Sequence, residues 1–142
     1  MKKILLYAGL LASLLFLLTA CGDKKLEDVL TGTWDYDMDL KGDKGTSDLI
    51  GNFTFYSNGE VDIAPSDDDS YYTGEYKIAD NIVTIEYTKG YSGIDMTLTQ
   101  NLKIDLDDVT ENELSGTALR NQFIGEASQG ADEGTIKMNK EK

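Results

Sequence analysis

Residues Trp34 to Leu40 read WDYDMDL, an apolar side chain at every second position with an aspartate between each pair. Side chains of an extended strand leave alternate faces, so this pattern puts Trp34, Tyr36, Met38 and Leu40 on one side and Asp35, Asp37 and Asp39 on the other. It calls for a sheet with one buried face. The same parity runs through Ile94, Met96, Leu98, Leu102, Ile104 and Leu106 and is broken only at Gln100. Either this is one long bent strand, or two strands meet near Gln100 and Asn101.

The remaining segments repeat the theme at short intervals. KGDKG turns the chain after the first strand, DLIGNFTFY reads as the second, and Asn58-Gly59 is a pair that favours a tight hairpin turn. Val61 and Ile63 carry a short strand toward the acidic loop Ser66 to Ser70, and YYTGEYKI pairs with IVTIEY across Ala79 to Asn81. Beyond Leu106, DDVTENE is a turn, LSGTAL a strand, Asn121 to Asp132 a loop and GTIKM the closing strand. About eight short strands separated by turn residues predict an all-β fold, a single antiparallel meander barrel. Ahead of them, Leu26, Val29 and Leu30 fall at the spacing of one or two amphipathic helical turns.

The chain opens with Met1-Lys2-Lys3, an apolar run from Ile4 to Leu18, and the small residues Thr19-Ala20, the layout of an export signal. A spanning helix needs about 20 apolar residues, and this run is shorter. Leu18-Thr19-Ala20-Cys21 resembles the lipobox of bacterial lipoproteins. That resemblance implies cleavage before Cys21, a diacylglycerol on its thiol and an acyl chain such as palmitate on the freed amine. More than one chain is needed because a single one holds a protein only marginally. The predicted organisation is a signal peptide over 1–20, the lipidated Cys21 with a tether and short helical turn over 21–30, and the barrel over 31–142. The tether Gly22 to Lys25 reaches at most about 14 Å, so the domain is expected to ride close to the bilayer of the cell envelope. Gly22 is not the aspartate that marks inner-membrane retention, which in a Gram-negative host implies the outer membrane. With one cysteine in the chain no internal disulfide can form, and the fold has to stand without staples.

The net charge is −13, and loss of residues 1–20 removes Lys2 and Lys3 but no acid, so the exported part is more acidic still. Such a surface repels phosphate backbones and anionic headgroups, which argues against nucleic acid as a partner and leaves cationic proteins open. The same charge also serves to keep a surface protein soluble.

Gly32-Thr33-Trp34 at the start of the first strand, after a short helical turn, resembles the opening of the lipocalins and the wider calycin group, up-and-down barrels that bind small apolar molecules. In those families the tryptophan closes the barrel base under an arginine from a late strand. Carried over by position, the resemblance implies a pair between Trp34 and the lone arginine, Arg120, a cation over an indole face. The Thr-Asp-Tyr turn of kernel lipocalins is missing, and Arg120 precedes the last strand instead of following it.

Other candidate sites are read against simpler explanations. Asp35, Asp37 and Asp39 have the every-second spacing of a calcium loop, yet Leu40 stands where its glycine belongs, and strand alternation already explains them. Asp67, Asp68 and Asp69 share a loop that could hold a cation or serve as a solvated turn. With no histidine and the cysteine given to lipid, ordinary zinc sites, His-dependent triads and thiol nucleophiles are absent, and no cofactor is expected. Glu75 or Glu86 could supply a glycosidase carboxylate, but their spacing does not single them out. Tyr36, Tyr56, Tyr71, Tyr72, Tyr76, Tyr87 and Tyr91 are numerous enough for a binding wall, and equally are good half-buried strand residues. Bulk dominates the predicted interior, with Gly51 and Gly74 among its few small residues, so a packed barrel with a shallow cavity at one mouth is expected. The expected role is a non-catalytic binding or envelope-accessory module. Its partner would be a small apolar ligand or, alternatively, a cationic protein, as with lipoproteins that inhibit lysozyme, whose Ser-Gly loop Tyr91 to Asp95 slightly resembles.

Overall fold

Alternation alone leaves each strand with one apolar face to bury, and a sheet that curls until its first and last strands meet buries all of those faces together and leaves no open edge. The computed structural model, which describes residues 25–142 except 68, 92 and 94, takes that solution. The signal segment, Cys21 and the tether before Lys25 lie outside the described residues. A short helix α1 (Leu26–Leu30) precedes β1 (Gly32–Gly42), β2 (Gly45–Phe55), β3 (Glu60–Pro65), β4 (Tyr72–Ala79), β5 (Ile82–Gly90), β6 (Thr97–Val109), β7 (Glu113–Ile124) and β8 (Ala127–Lys140). Each strand pairs antiparallel with the next and β8 returns to β1, which closes an eight-stranded meander barrel.

The path gives the barrel two distinct ends. At one end lie α1, the start of β1, the turns at 56–59, 80–81 and 110–112, and the end of β8. At the other lie the β1–β2 turn, the ends of β3 and β5, the starts of β4 and β6, and the β7–β8 turn. In β1 the apolar residues Trp34, Tyr36, Met38 and Leu40 are buried while Asp35, Asp37 and Asp39 are exposed. Inside, Tyr36 stacks on Phe53 at 4.2 Å between centroids, and Phe53, Phe55, Val61, Ile63, Ile85, Ile104, Leu114 and Met138 fill the space beneath.

Two expectations resolve differently from their wording in the sequence. The parity from Leu98 to Leu106 belongs to one strand, β6, which runs through Gln100 and Asn101 and carries its irregularity later, between Leu106 and Asp108, while Met96 precedes the strand and Ile94 lies outside the described residues. The stretch Asn121 to Asp132 is not a loop. β7 continues to Ile124 and β8 begins at Ala127, so these residues form a hairpin around Gly125, whose φ of 60° suits the turn. Alternation is missing there for a physical reason. The last β1 partner of β8 is Gly42, opposite Asp132, so residues 127–131 pair with β7 alone and project past the barrel wall. With solvent on both sides, a strand has no apolar face to write into its sequence.

Gly51 and Gly74 are buried on inward positions, but they do not leave room for a ligand. A Cβ on Gly51 would meet the backbone carbonyl of Ala64 and, at 2.7 Å, the Tyr36 hydroxyl; one on Gly74 would meet the backbone carbonyl of Glu86. These glycines let neighbouring strands approach and coil, as barrel closure requires.

Candidate functional site

The closed end is built first. Leu26, Val29 and Leu30 of α1 are buried over the barrel base, and Trp34 is fully buried beneath them. A short helix ends with carbonyls that have no partner in the helix. Here the Trp34 Nε1–H donates to the Leu30 carbonyl at 2.7 Å, and Lys140 Nζ donates to the Val29 carbonyl at 2.8 Å. The Lys140 ammonium also lies 5.1 Å from the centroid of the Trp34 ring.

The structure therefore corrects the pair that the Gly-Thr-Trp opening implies. The cation over Trp34 is Lys140, not Arg120. Register explains the exchange: Lys140 lies opposite Trp34 on β8, whereas Arg120 lies opposite Asp132, eight positions back along the same strand and toward the other end. Arg120 donates through Nε at 3.1 Å and through Nη2 at 2.5 Å to Asp132 Oδ2, a pair whose side chains are 14% and 21% exposed.

Arg120 instead helps to line a cavity of about 140 Å³ in the mouth. Its walls are aromatic: Tyr36 and Phe53 on one side, Tyr72 and Tyr87 on the other, the latter two 5.6 Å apart. Met38 and Leu102 give it apolar depth, and Gln100, Lys89 and Asp67 complete its polar lining. The Tyr87 hydroxyl donates to Gln100 Oε1 at 2.9 Å, and the Lys89 ammonium lies 5.3 Å from the centroid of the Tyr72 ring. Burial pushes the Tyr36 hydroxyl far above its usual range, with Tyr87 and Asp67 adding to the rise and Arg120 opposing it. Burial raises Tyr87 as well, against Arg120 and Lys89. Both phenols thus stay protonated at neutral pH and act as hydrogen-bond donors.

The seven tyrosines divide by position, and only Tyr36, Tyr72 and Tyr87 reach this cavity. Tyr76 packs edge-on against Phe55 at 5.1 Å. Tyr56, Tyr71 and Tyr91 are exposed. Tyr56 donates to Asp62 at 2.7 Å; hydrogen bonds from Tyr71, Tyr56 and Thr73 hold the Asp62 carboxyl below its usual range.

The acidic candidates stay outside the barrel. Glu75 and Glu86 are exposed cross-strand neighbours on the outer wall, away from the mouth. Asp37 and Asp39 line an outer groove of about 420 Å³ with Asp107 and Asp108, over the small residues Ser115, Gly116 and Thr135. Among the described residues no group of three or more acidic side chains is placed to share a metal ion. Of the loop acids Asp67 to Asp69, Asp67 faces the mouth and Asp68 lies outside the described residues.

One signal for the mouth stood in the sequence. Gln100 is the single break in the inward parity of β6, and the same parity on β7, from Leu114 through Gly116 and Ala118, arrives at Arg120. A polar residue on an inward position needs a partner or a ligand. That both breaks occur at one end was written only in the pairing of the strands.

The chain matches no family model and no curated protein. Among solved structures it is similar to one titled "Structure of EF1p2_mFAP2b bound to DFHBI", with a TM-score of 0.52 and 17% sequence identity over 82% of this chain and 98% of that one. At such an identity the likeness bears on architecture: both chains share the antiparallel barrel fold.

Proposed function

We propose that this chain is a lipid-anchored, non-catalytic binding module of the cell envelope, which holds a small ligand with an apolar body in the mouth of its barrel. The observation that carries the reading is the mouth cavity, where four aromatic rings surround space and inward polar groups gather at one rim. The similar barrel bound to DFHBI is in keeping with it. A cavity of about 140 Å³ is well below the roughly 300–1,000 Å³ of drug-sized sites and close to the roughly 150 Å³ pocket that takes benzene. One ring fits, and an extended acyl chain does not.

Lipidation of Cys21 would add an orientation. Helix α1 begins at Leu26 on the closed end, so a short tether from Cys21 turns that end to the bilayer and the mouth away from it. Mass spectrometry of membrane-extracted protein is expected to find an acylated N-terminal Cys21, and an unmodified thiol in the soluble fraction would overturn the anchor.

Binding is tested by NMR titration with benzyl alcohol. Saturable shifts confined to residues around Tyr36, Tyr72 and Tyr87, abolished by filling the mouth through Met38→Trp, are expected. Shifts that never saturate, or that persist in the filled variant, would remove the reading. A second reading, an acidic module that docks a cationic protein, is favoured by the acid-walled outer groove of Asp37, Asp39, Asp107 and Asp108. It predicts a partner whose affinity falls steeply with salt and is unchanged by Met38→Trp.

A further inference from the structure

The mouth holds buried polar groups that the fold leaves uncommitted. Tyr36 is 4% exposed and Gln100 8% exposed, and both line the cavity. The Tyr36 hydroxyl has no hydrogen-bond partner among the described residues. Gln100 Oε1 accepts from Tyr87, and the amide nitrogen of the same side chain has no partner among those residues. Among them, too, no polar side-chain atom is sealed in without a partner, so these two groups open on the cavity that their side chains line. Arg120 adds to them. Of its five N–H groups, Nε and Nη2 give one each to Asp132, and three remain. What the three residues hold in reserve is therefore O–H and N–H, and burial keeps the Tyr36 phenol protonated as a donor at neutral pH. Charge narrows the ligand further. The guanidinium is matched by Asp132, Lys89 is already engaged, and Asp67 is left over on the lining. An anion would meet a carboxylate and no free cation, and a cation would bring more donors to a lining already supplied with them, beside a guanidinium.

We propose that the mouth selects a neutral ring compound bearing a carbonyl oxygen, with the ring between the Tyr36–Phe53 wall and the Tyr72–Tyr87 wall and the oxygen accepting from the Tyr36 hydroxyl. This rests on the mouth being a binding site at all. A ligand that displaces water from the cavity leaves the phenol unpaired unless it brings an acceptor, and one oxygen on an otherwise apolar body restores that bond. A hydrocarbon of the same shape fills the space and strands the donor, which is how a pocket with buried donors tells the two apart. The hydroxyl is in place before a ligand arrives. Its ring stacks on Phe53 at 4.2 Å between centroids, and the oxygen lies over Gly51, where a Cβ would come within 2.7 Å of it.

The test is a matched series titrated by NMR at pH 7: acetophenone, α-methylstyrene, in which a methylene replaces the carbonyl oxygen, and the charged relatives benzoate and benzamidine. Each is measured on the native chain and on Tyr36→Phe, which keeps the ring on Phe53 and removes an oxygen without a protein partner, so that the barrel is expected to fold as before. Tyr36→Phe is expected to weaken acetophenone by about three- to tenfold and to leave α-methylstyrene unchanged or slightly tighter. On the native chain benzoate and benzamidine are each expected to bind about threefold or more weakly than acetophenone. Equal effects of Tyr36→Phe on acetophenone and α-methylstyrene, or tightest binding by either charged compound, overturn the carbonyl inference and leave the binding site standing. Absence of saturable mouth shifts with all four overturns both.

Discussion

The two ends of this barrel are made from the same strands under the same alternation, and they are opposite in character. At the closed end every inward position is apolar or has its polar atom matched: Trp34, Phe55 and Leu114 are fully buried, and the helix carbonyls of Val29 and Leu30 receive Lys140 and Trp34. At the mouth, the inward positions turn polar at Gln100, Arg120 and Asp132, and a cavity opens among tyrosines. Strand parity fixes which side chains point inward, but the kind of residue found inward separates an end that holds the fold together from an end free to meet a ligand. The prediction is an asymmetry in cost. Trp34→Ala removes the largest buried side chain and the donor to Leu30, and should cost about 3–5 kcal/mol, read from urea unfolding followed by circular dichroism. Lys89→Gln at the mouth removes the ammonium beside the Tyr72 ring and should cost about 1 kcal/mol or less. Comparable losses from the two would break the contrast.

A smaller effect sharpens it by pH. In the unfolded chain Tyr36 and Tyr87 lose their protons near the ordinary 10.0, while in the native barrel burial keeps both protonated to higher pH. Above pH 10 the native state then binds more protons than the unfolded one, so stability is fully present below pH 10 and declines as pH rises beyond it. The decline approaches about 1.4 kcal/mol per pH unit for each such tyrosine. Urea midpoints at pH 9, 10 and 11 should show it, and Tyr36→Phe should flatten the slope by one tyrosine's share. An unchanged slope in Tyr36→Phe would mean that this phenol titrates normally and that the mouth is wetter than its burial indicates.

How much of this was legible before the structure depends on whether a residue faces something apolar. WDYDMDL declares its strand because one face is buried along its full length, and the Asn58-Gly59 turn declares itself through backbone chemistry; Gly59 has φ of 90°. Asn121 to Asp132 was not legible as strand because its middle, residues 125–131, meets solvent on both faces. The site was half legible. Gln100 broke the parity visibly, but which cation meets Trp34 depends on register, and both Arg120 and Lys140 lie on strands that carry apolar residues at inward positions. Gly51 and Gly74 stood out only as small residues in a bulky interior and prove to be points of close backbone approach, which the sequence does not show.

Lys140 is the next test of the closed end. Lys140→Met keeps the aliphatic stem that lies along Trp34 and removes the ammonium, with its hydrogen bond to the Val29 carbonyl and its contact with the indole. The expected loss is about 1–2 kcal/mol, between the value of a cation–π contact and that of a charged hydrogen bond. Because Trp34 is the single tryptophan, its emission reports this end alone. It should remain blue-shifted and become easier to quench as α1 loosens. The same measurement on Arg120→Gln should leave Trp34 emission unchanged, since Arg120 belongs to the other end; a shift there would restore a link between Arg120 and Trp34.

The smallest expected change is the most discriminating for the mouth. Gln100 is 8% exposed and accepts from Tyr87, so it could be read as an ordinary structural hydrogen bond of the core. Were it so, Gln100→Leu should leave the Tyr87 hydroxyl buried without an acceptor and cost about 1–3 kcal/mol. The hydroxyl instead lines a cavity that opens at the barrel mouth, where water can take the place of the amide, and the expected cost is under about 1 kcal/mol. Gln100→Leu combined with Tyr87→Phe removes both partners and should be within about 0.5 kcal/mol of the native protein, or slightly more stable, since leucine continues the apolar parity of Leu98 and Leu102. Stability that survives or rises when these two polar groups are removed means that the fold does not need them. That outcome would support the proposal that these groups, gathered at one open end beside a cavity, serve a ligand and not the fold.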